Sequence, residues 1–301
     1  MPYQIERRET QIETEECSSS LYPHIGVMLT NRCDLRCEGC LAGIGTPLAR
    51  RNEGNMSKFV IEHIVAQLGL LDTFFKGTVY ITGGEPALHP DFIDIVQEFV
   101  SKGFFVTISS NFNWISPARP LDQQPKLKGL LNLLLQPNMR IKIPMDKMHF
   151  SANKNLPYKI NFLRQLLDES EFNYGEQYFY GIIGNNLSDI VQGAILGGLE
   201  INESNALGLI RDWRLKQDVG QLPDLVNFIQ ISPNGLIYQN YYQMLHKNSL
   251  GYVNQLNKTI LNMSQRISRH EGQILTRPAV NDWVLQANEL LMLYKSVKSS
   301  S

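Results

Sequence analysis

Between His24 and Pro144 the sequence switches repeatedly between two hydrophobic periods, and this alternation limits the fold more than any other feature. His24 to Thr30 reads as a buried strand in which Ile25, Val27 and Leu29 alternate. Ser57 then caps a predicted helix whose Ile61, Ile64, Val65, Leu68 and Leu71 form one apolar stripe. Thr78 to Thr82 is a second strand. Pro90 and Asp91 open a second helix that buries Phe92, Ile95, Val96 and Phe99 and ends at Gly103. Phe104 to Ser109 is a third strand, the leucines from Leu127 to Leu135 line a third helix stopped by Pro137, and Met139 to Pro144 is a fourth strand. Further along, Tyr158 to Leu167 reads as helix, Tyr178 to Ile183 and Asn227 to Ser232 as strands, and Pro233-Asn234-Gly235 as a turn into Leu236 to Tyr241. Strands alternating with helices imply right-handed crossovers and a parallel α/β sheet. Periodicity alone leaves a barrel and a doubly wound sheet both open.

In parallel α/β folds, reactive groups gather where strands end and loops begin. The first strand runs into Cys33, Cys37 and Cys40, and the second into Gly83, Gly84 and Glu85. The third runs into Ser109, Ser110 and Asn111, the fourth into Asp146 and His149, and the fifth into Gly184, Asn185 and Asn186. Polar residues at successive exits point to one shared mouth.

The chain has 4 cysteines, and all but Cys17 fall within the run from Cys33 to Cys40. A trio that tight can close around one metal centre and does not make a clean set of disulfides. Thiolates select zinc, copper(I) or iron–sulfur iron. A structural zinc wants a fourth protein ligand; Cys17, His24 and His63 do not stand at ligand spacing. Three thiolates on a four-iron cluster would leave one iron open to a substrate or cofactor, unlike the four-thiolate electron carriers.

The spacing C-x3-C-x2-C directly after a strand resembles the cluster loop of radical S-adenosylmethionine (radical SAM) enzymes. Ile81-Thr82-Gly83-Gly84-Glu85-Pro86 is similar to the G-G-E-P motif of the same family, and it follows the next strand as expected. The resemblance implies a partial (β/α)6 TIM-like barrel over residues 22–242, a [4Fe-4S] cluster on Cys33, Cys37 and Cys40, and S-adenosylmethionine on its open iron. It further implies that Gly83, Gly84 and Glu85 meet the amino group of S-adenosylmethionine, that Ser109 and Asn111 supply polar contacts to it, and that Asp146 accepts from its ribose hydroxyls. Its chemistry would be reductive cleavage to a 5′-deoxyadenosyl radical and removal of a hydrogen atom from a peptide or small natural-product substrate. An electron donor such as flavodoxin or ferredoxin is then required. Gly39 departs from the aromatic residue that many members carry before the third cysteine. Many relatives with G-G-E-P carry a cysteine-rich C-terminal domain, and this chain has no cysteine after Cys40.

Each residue also has a plainer reading. Gly83 and Gly84 fit a tight turn, and Glu85 a solvated acid in the first turn of the next helix. Ser109 and Asn111 suit a turn. Cys17 is either a buried filler or a hydrogen-atom donor. From another class comes a zinc-stabilised binding protein built on the same thiols plus one histidine.

A net charge of −1 gives no basic field for nucleic acid. Hydrophobic content of 43% and charged content of 19% describe an ordinary soluble chain. No apolar run suits a bilayer span or signal peptide, and clustered thiols suit a reducing cytoplasm. The expected organisation is an N-terminal extension over residues 1–21, the barrel over 22–242, and a C-terminal helical extension over 243–301, with helices at Leu250 to Arg269 and Asp282 to Val297.

Overall fold

The computed structural model describes residues 24–37, 40, 54–71, 78–144, 147–168, 178–181, 187–196, 199–202, 206, 210, 228–239, 248–263 and 278–299. The strands are β1 (His24–Met28), β2 (Thr78–Thr82), β3 (Phe105–Ser109), β4 (Met139–Pro144), β5 (Tyr178–Gly181), β6 (Phe228–Ile231), β7 (Leu236–Tyr238) and β8 (Gly251–Tyr252). They form one sheet in the order β5-β4-β3-β2-β1-β6-β7-β8. From β5 to β6 every neighbouring pair is parallel, whereas β7 and β8 join antiparallel. The sheet is open, as a partial TIM-like barrel requires. The expected strands over residues 78–82 and 139–144 appear with those bounds, β1 ends two residues early, β3 starts one residue late, β6 ends at Ile231 and β7 at Tyr238.

Helices return the chain between strands: α1 (Lys58–Gly69), α2 (Phe92–Ser101), α3 (Pro125–Leu133), α4 (Lys147–Ala152), α5 (Leu156–Asp168) and α6 (Leu187–Leu196). Ser57 Oγ accepts the N–H of Val60 at 3.4 Å, so the expected cap opens α1. Alternation along the strands sorts side chains by face. Ile25, Val27, Val79, Ile81, Val106, Ile108, Ile141 and Ile143 are all buried and share a core with Ile64, Phe92, Phe99 and Leu130 of the helices. Each such burial stabilises by roughly 1.5–3 kcal/mol. The opposite face carries most of the polar groups: Gln230, Gly26, Tyr80, Thr107 and Arg140 run in register across one row, and beyond them the apolar Met28 pairs with Thr82 and Ser109 with Lys142.

Beyond β8, residues 256–263 form α7, and α8 is Pro278–Ser299. Leu256, Ile260, Leu290, Leu291 and Tyr294 belong to the same buried cluster as the sheet. The helices expected over 250–269 and 282–297 are thus found with shifted starts, since Gly251–Tyr252 extends the sheet instead. Among the described residues, no helix is long and apolar enough to cross a membrane.

Candidate functional site

The second strand exit is built directly onto the first. Gly84 N–H donates to the Thr30 carbonyl at 2.8 Å, and Glu85 N–H donates to the Arg32 carbonyl at 2.8 Å. Gly83 sits at φ +144°, and a Cβ there would lie 2.5 Å from the Thr30 carbonyl oxygen. A Cβ on Gly84 would lie 2.2 Å from the Arg32 carbonyl oxygen and 3.0 Å from the Cys33 Cβ. Two glycines are therefore needed for the backbones to meet, beyond the needs of a tight turn. Two motifs remote in sequence form one piece of main chain.

Glu85 overturns its plainer reading. It is fully buried, not solvated. Its Oε1 accepts the Ala87 N–H at 3.0 Å and the Ser110 hydroxyl at 2.8 Å, and its Oε2 accepts the Asn111 N–H at 2.7 Å. Burial pushes its carboxyl up to about 7, partly offset by those donors. Around it, His89 joins the Met56 carbonyl through Nε2 at 2.9 Å and accepts the Asp91 N–H at 3.1 Å. Lys126 of α3 donates to the Ala87 carbonyl.

The thiols sit at the edge of this assembly. Cys33, Cys37 and Cys40 are thiols outside any disulfide and partly buried, and Cys33 and Cys37 pack against the core. Desolvation, helped by the charges of Glu85 and Asp34 and by Cys40, pushes the Cys33 thiol up to about 11, against the Leu35 N–H that it accepts at 3.4 Å. Among the described residues, no three His, Cys, Asp or Glu side chains are gathered tightly enough for one metal ion. A four-iron cluster puts each thiolate on a different iron, so its ligands stand farther apart than those around a single ion. Three soft donors on one loop, beside main chain that two glycines let approach closely, have the chemistry such a cluster needs.

Ser109 stands half-buried and pairs with Lys142. Asn111 is buried, and its amide turns toward the cysteine loop: Nδ2 donates to Asp34 Oδ1 at 2.9 Å and lies 3.7 Å from Cys33 Sγ. The expected Asp146, Gly184, Asn185 and Asn186 lie outside the described residues, as does Cys17. Asp34 and Asn113 carried no sequence expectation of a role, and Ser110 was expected only as a polar residue at the third exit. Ser110 accepts from Phe112 N–H at 2.9 Å and from Trp114 Nε1 at 3.1 Å while holding Glu85. Asp34 and Asn113 pair at 2.8 Å. The only sequence signal was Asn111-Phe112-Asn113, two amides spaced around one apolar residue. An open cavity of about 510 Å³ lies beside them, lined by Trp114, Arg119, Tyr158 and Lys159.

Residues 27–120 match the model of the Radical SAM superfamily. Over this segment the chain is similar to the radical SAM superfamily. Members of this superfamily use a [4Fe-4S] cluster and S-adenosylmethionine, and its characterised members are enzymes. Over 105 residues the chain is 31% identical to Molybdenum cofactor biosynthesis protein 1 of Bos taurus, covering 35% of this chain and 16% of that protein. It is 34% identical to GTP 3′,8-cyclase of Limosilactobacillus fermentum over 150 residues, covering 49% and 40%. It is 33% identical to Mycofactocin maturase MftC of Mycobacterium ulcerans over 89 residues, covering 30% and 22%. The matched segments thus span well under half of each relative. The fold is similar to that of Streptococcus suis SuiB bound to its precursor peptide SuiA, with a TM-score of 0.51 at 12% identity over 90% of this chain and 71% of that one.

Proposed function

We propose that this chain is a radical SAM enzyme in which Cys33, Cys37 and Cys40 hold a [4Fe-4S] cluster. The junction of Thr30 and Arg32 with Gly84 and Glu85 carries this reading, because it brings the thiol loop and the Gly-Gly-Glu segment into one site. When bound, the cluster supplies the electron that cleaves S-adenosylmethionine to methionine and a 5′-deoxyadenosyl radical, which takes a hydrogen atom from the substrate.

The protein's own part is binding, orientation and exclusion of water. Gly83 and Gly84 let the backbone pass close to the amino end of S-adenosylmethionine. Glu85 supports them from behind, tying the second exit to the third. Ser109, Thr82 and Lys142 line the face that a ligand at the mouth would meet. Asp146 is assigned to the ribose.

The substrate is a peptide or a small natural product, and modification, epimerisation, cyclisation or rearrangement is the outcome. The SuiB likeness, whose partner is a precursor peptide, supports the peptide arm, and the cyclase relatives the small-molecule arm. A flavodoxin or ferredoxin supplies the electron. The setting is cytoplasmic, and the cluster on Cys33, Cys37 and Cys40 carries the chemistry.

Anaerobic reconstitution with iron and sulfide, followed by reduction with S-adenosylmethionine, tests the reading. The expected results are a brown protein with about four irons, and release of 5′-deoxyadenosine. Uptake of one zinc with no iron, or iron uptake unchanged in a Cys37→Ala variant, would overturn it in favour of a zinc-stabilised binding protein.

A further inference from the structure

Asp34 lies immediately after Cys33, and two amides from the third strand exit grip its carboxylate. Asn111 Nδ2 donates to Oδ1 at 2.9 Å, and Asn113 Nδ2 donates to Oδ2 at 2.8 Å. Neither amide is free to flip. Asn111 Oδ1 accepts the Asn113 N–H at 2.7 Å, so its nitrogen must face Asp34. Asn113 Oδ1 accepts from Asn153 Nδ2 at 2.6 Å and from Lys159 Nζ at 3.0 Å, so its nitrogen must do the same.

The residue between them is strained. Phe112 has φ 56°, the left-handed region that a bulky side chain avoids, and its ring is fully buried. That turn points both asparagines toward one carboxylate, and the packed ring holds it. A solvated turn would need neither the strain nor the paired amides.

We propose that Asp34 is a positioning residue for the iron–sulfur site: the Asn111–Asn113 pincer holds its carboxylate beside the cluster and fixes the backbone between Cys33 and Cys37. The inference rests on the cluster reading above and adds a group that is not itself a ligand. A fixed negative charge disfavours the reduced cluster, so this carboxylate lowers the potential at which the centre accepts its electron.

The test uses Asp34→Asn, Asn113→Asp and the double swap. In Asn113→Asp two carboxylates face each other. Amide hydrogen exchange over residues 32–37 of the iron-free protein should then rise roughly tenfold, as expected for one lost hydrogen bond plus repulsion. The double swap reverses the donor and acceptor, and should return exchange to within about threefold of the native rate. In the reconstituted protein, a redox titration followed by electron paramagnetic resonance should give Asp34→Asn a more positive midpoint than the native chain.

Native exchange rates in Asn113→Asp, or no rescue by the swap, would overturn the pincer. An unchanged or more negative midpoint in Asp34→Asn would overturn the charge effect. Failure of the native chain to take up iron would count against the proposed function, and exchange would still decide whether the loop is held this way. Asp34 is exposed and Asn113 half-buried, so folding should survive; if Asn113→Asp does not fold, a folded double swap with native exchange supports the pincer, and one with fast exchange sinks it.

Discussion

The Glu85 carboxylate accepts the backbone N–H of Asn111 at 2.7 Å, a bond between residues 26 positions apart. It joins the second strand exit to the third from inside the protein. With Ser110 and Ala87, the same carboxylate takes donors from both exits.

Glu85→Gln should therefore destabilise the fold. Three donors converge on two acceptor oxygens, and an amide keeps only one oxygen. Its nitrogen would face a backbone N–H in a dry site, at a cost of about 1–3 kcal/mol. Thermal unfolding of the iron-free protein measures the loss. A melting temperature equal to the native one would show that the carboxylate is not the link described here.

The same group predicts a pH dependence. Its folded pKa, about 7, lies above the ordinary value of 4.5. The folded state thus holds a proton that the unfolded chain has already released. The contribution to stability is fully present below about pH 4.5 and fades as pH rises through 7, a change on the order of 3 kcal/mol. Comparing denaturant midpoints of the native chain and Glu85→Gln across pH 4.5–8 isolates it: the difference should shrink as pH rises. A difference that grows instead would reverse the sign.

Gly84→Ala should separate the two motifs. Its methyl would meet the Arg32 carbonyl oxygen at 2.2 Å, and backbone cannot swing aside as a flexible side chain can. The expected result is a destabilisation of at least about 2 kcal/mol and iron uptake well below the native level. Near-native iron content would show that the junction is dispensable for the thiol loop.

Gln230 should be replaceable with profit. It is fully buried on β6, and among the described residues neither its Oε1 nor its Nε2 has a hydrogen-bond partner. Methionine has a similar shape and no such need. Gln230→Met should stabilise the protein by about 1–2 kcal/mol, seen as a higher melting temperature. A drop would show that the carboxamide finds partners in solution.

Much of the framework could be read from periodicity. The strands over 78–82 and 139–144 have strong alternation and clear breakers on both sides. Elements too short to show a period escaped: α4 spans six residues and β8 two. The cysteines and the Gly-Gly-Glu run were legible because their spacing is local. Asp34 with Asn113 was not, since 79 positions separate them and only the folded sheet brings the first and third exits together. The burial of Glu85 was not legible for the same reason: its partners Ser110 and Asn111 belong to another strand exit. Burial is decided by tertiary neighbours, and a lone acid beside a proline carries no local sign of them.

The sealed position of Glu85 changes how a damaged version of this protein should be diagnosed. Inactivity after substitution there would suggest that a ligand contact had been erased, whereas the first casualty would be the link between the second and third strand exits. A melting curve run beside every turnover assay separates a missing handhold from a fallen partition.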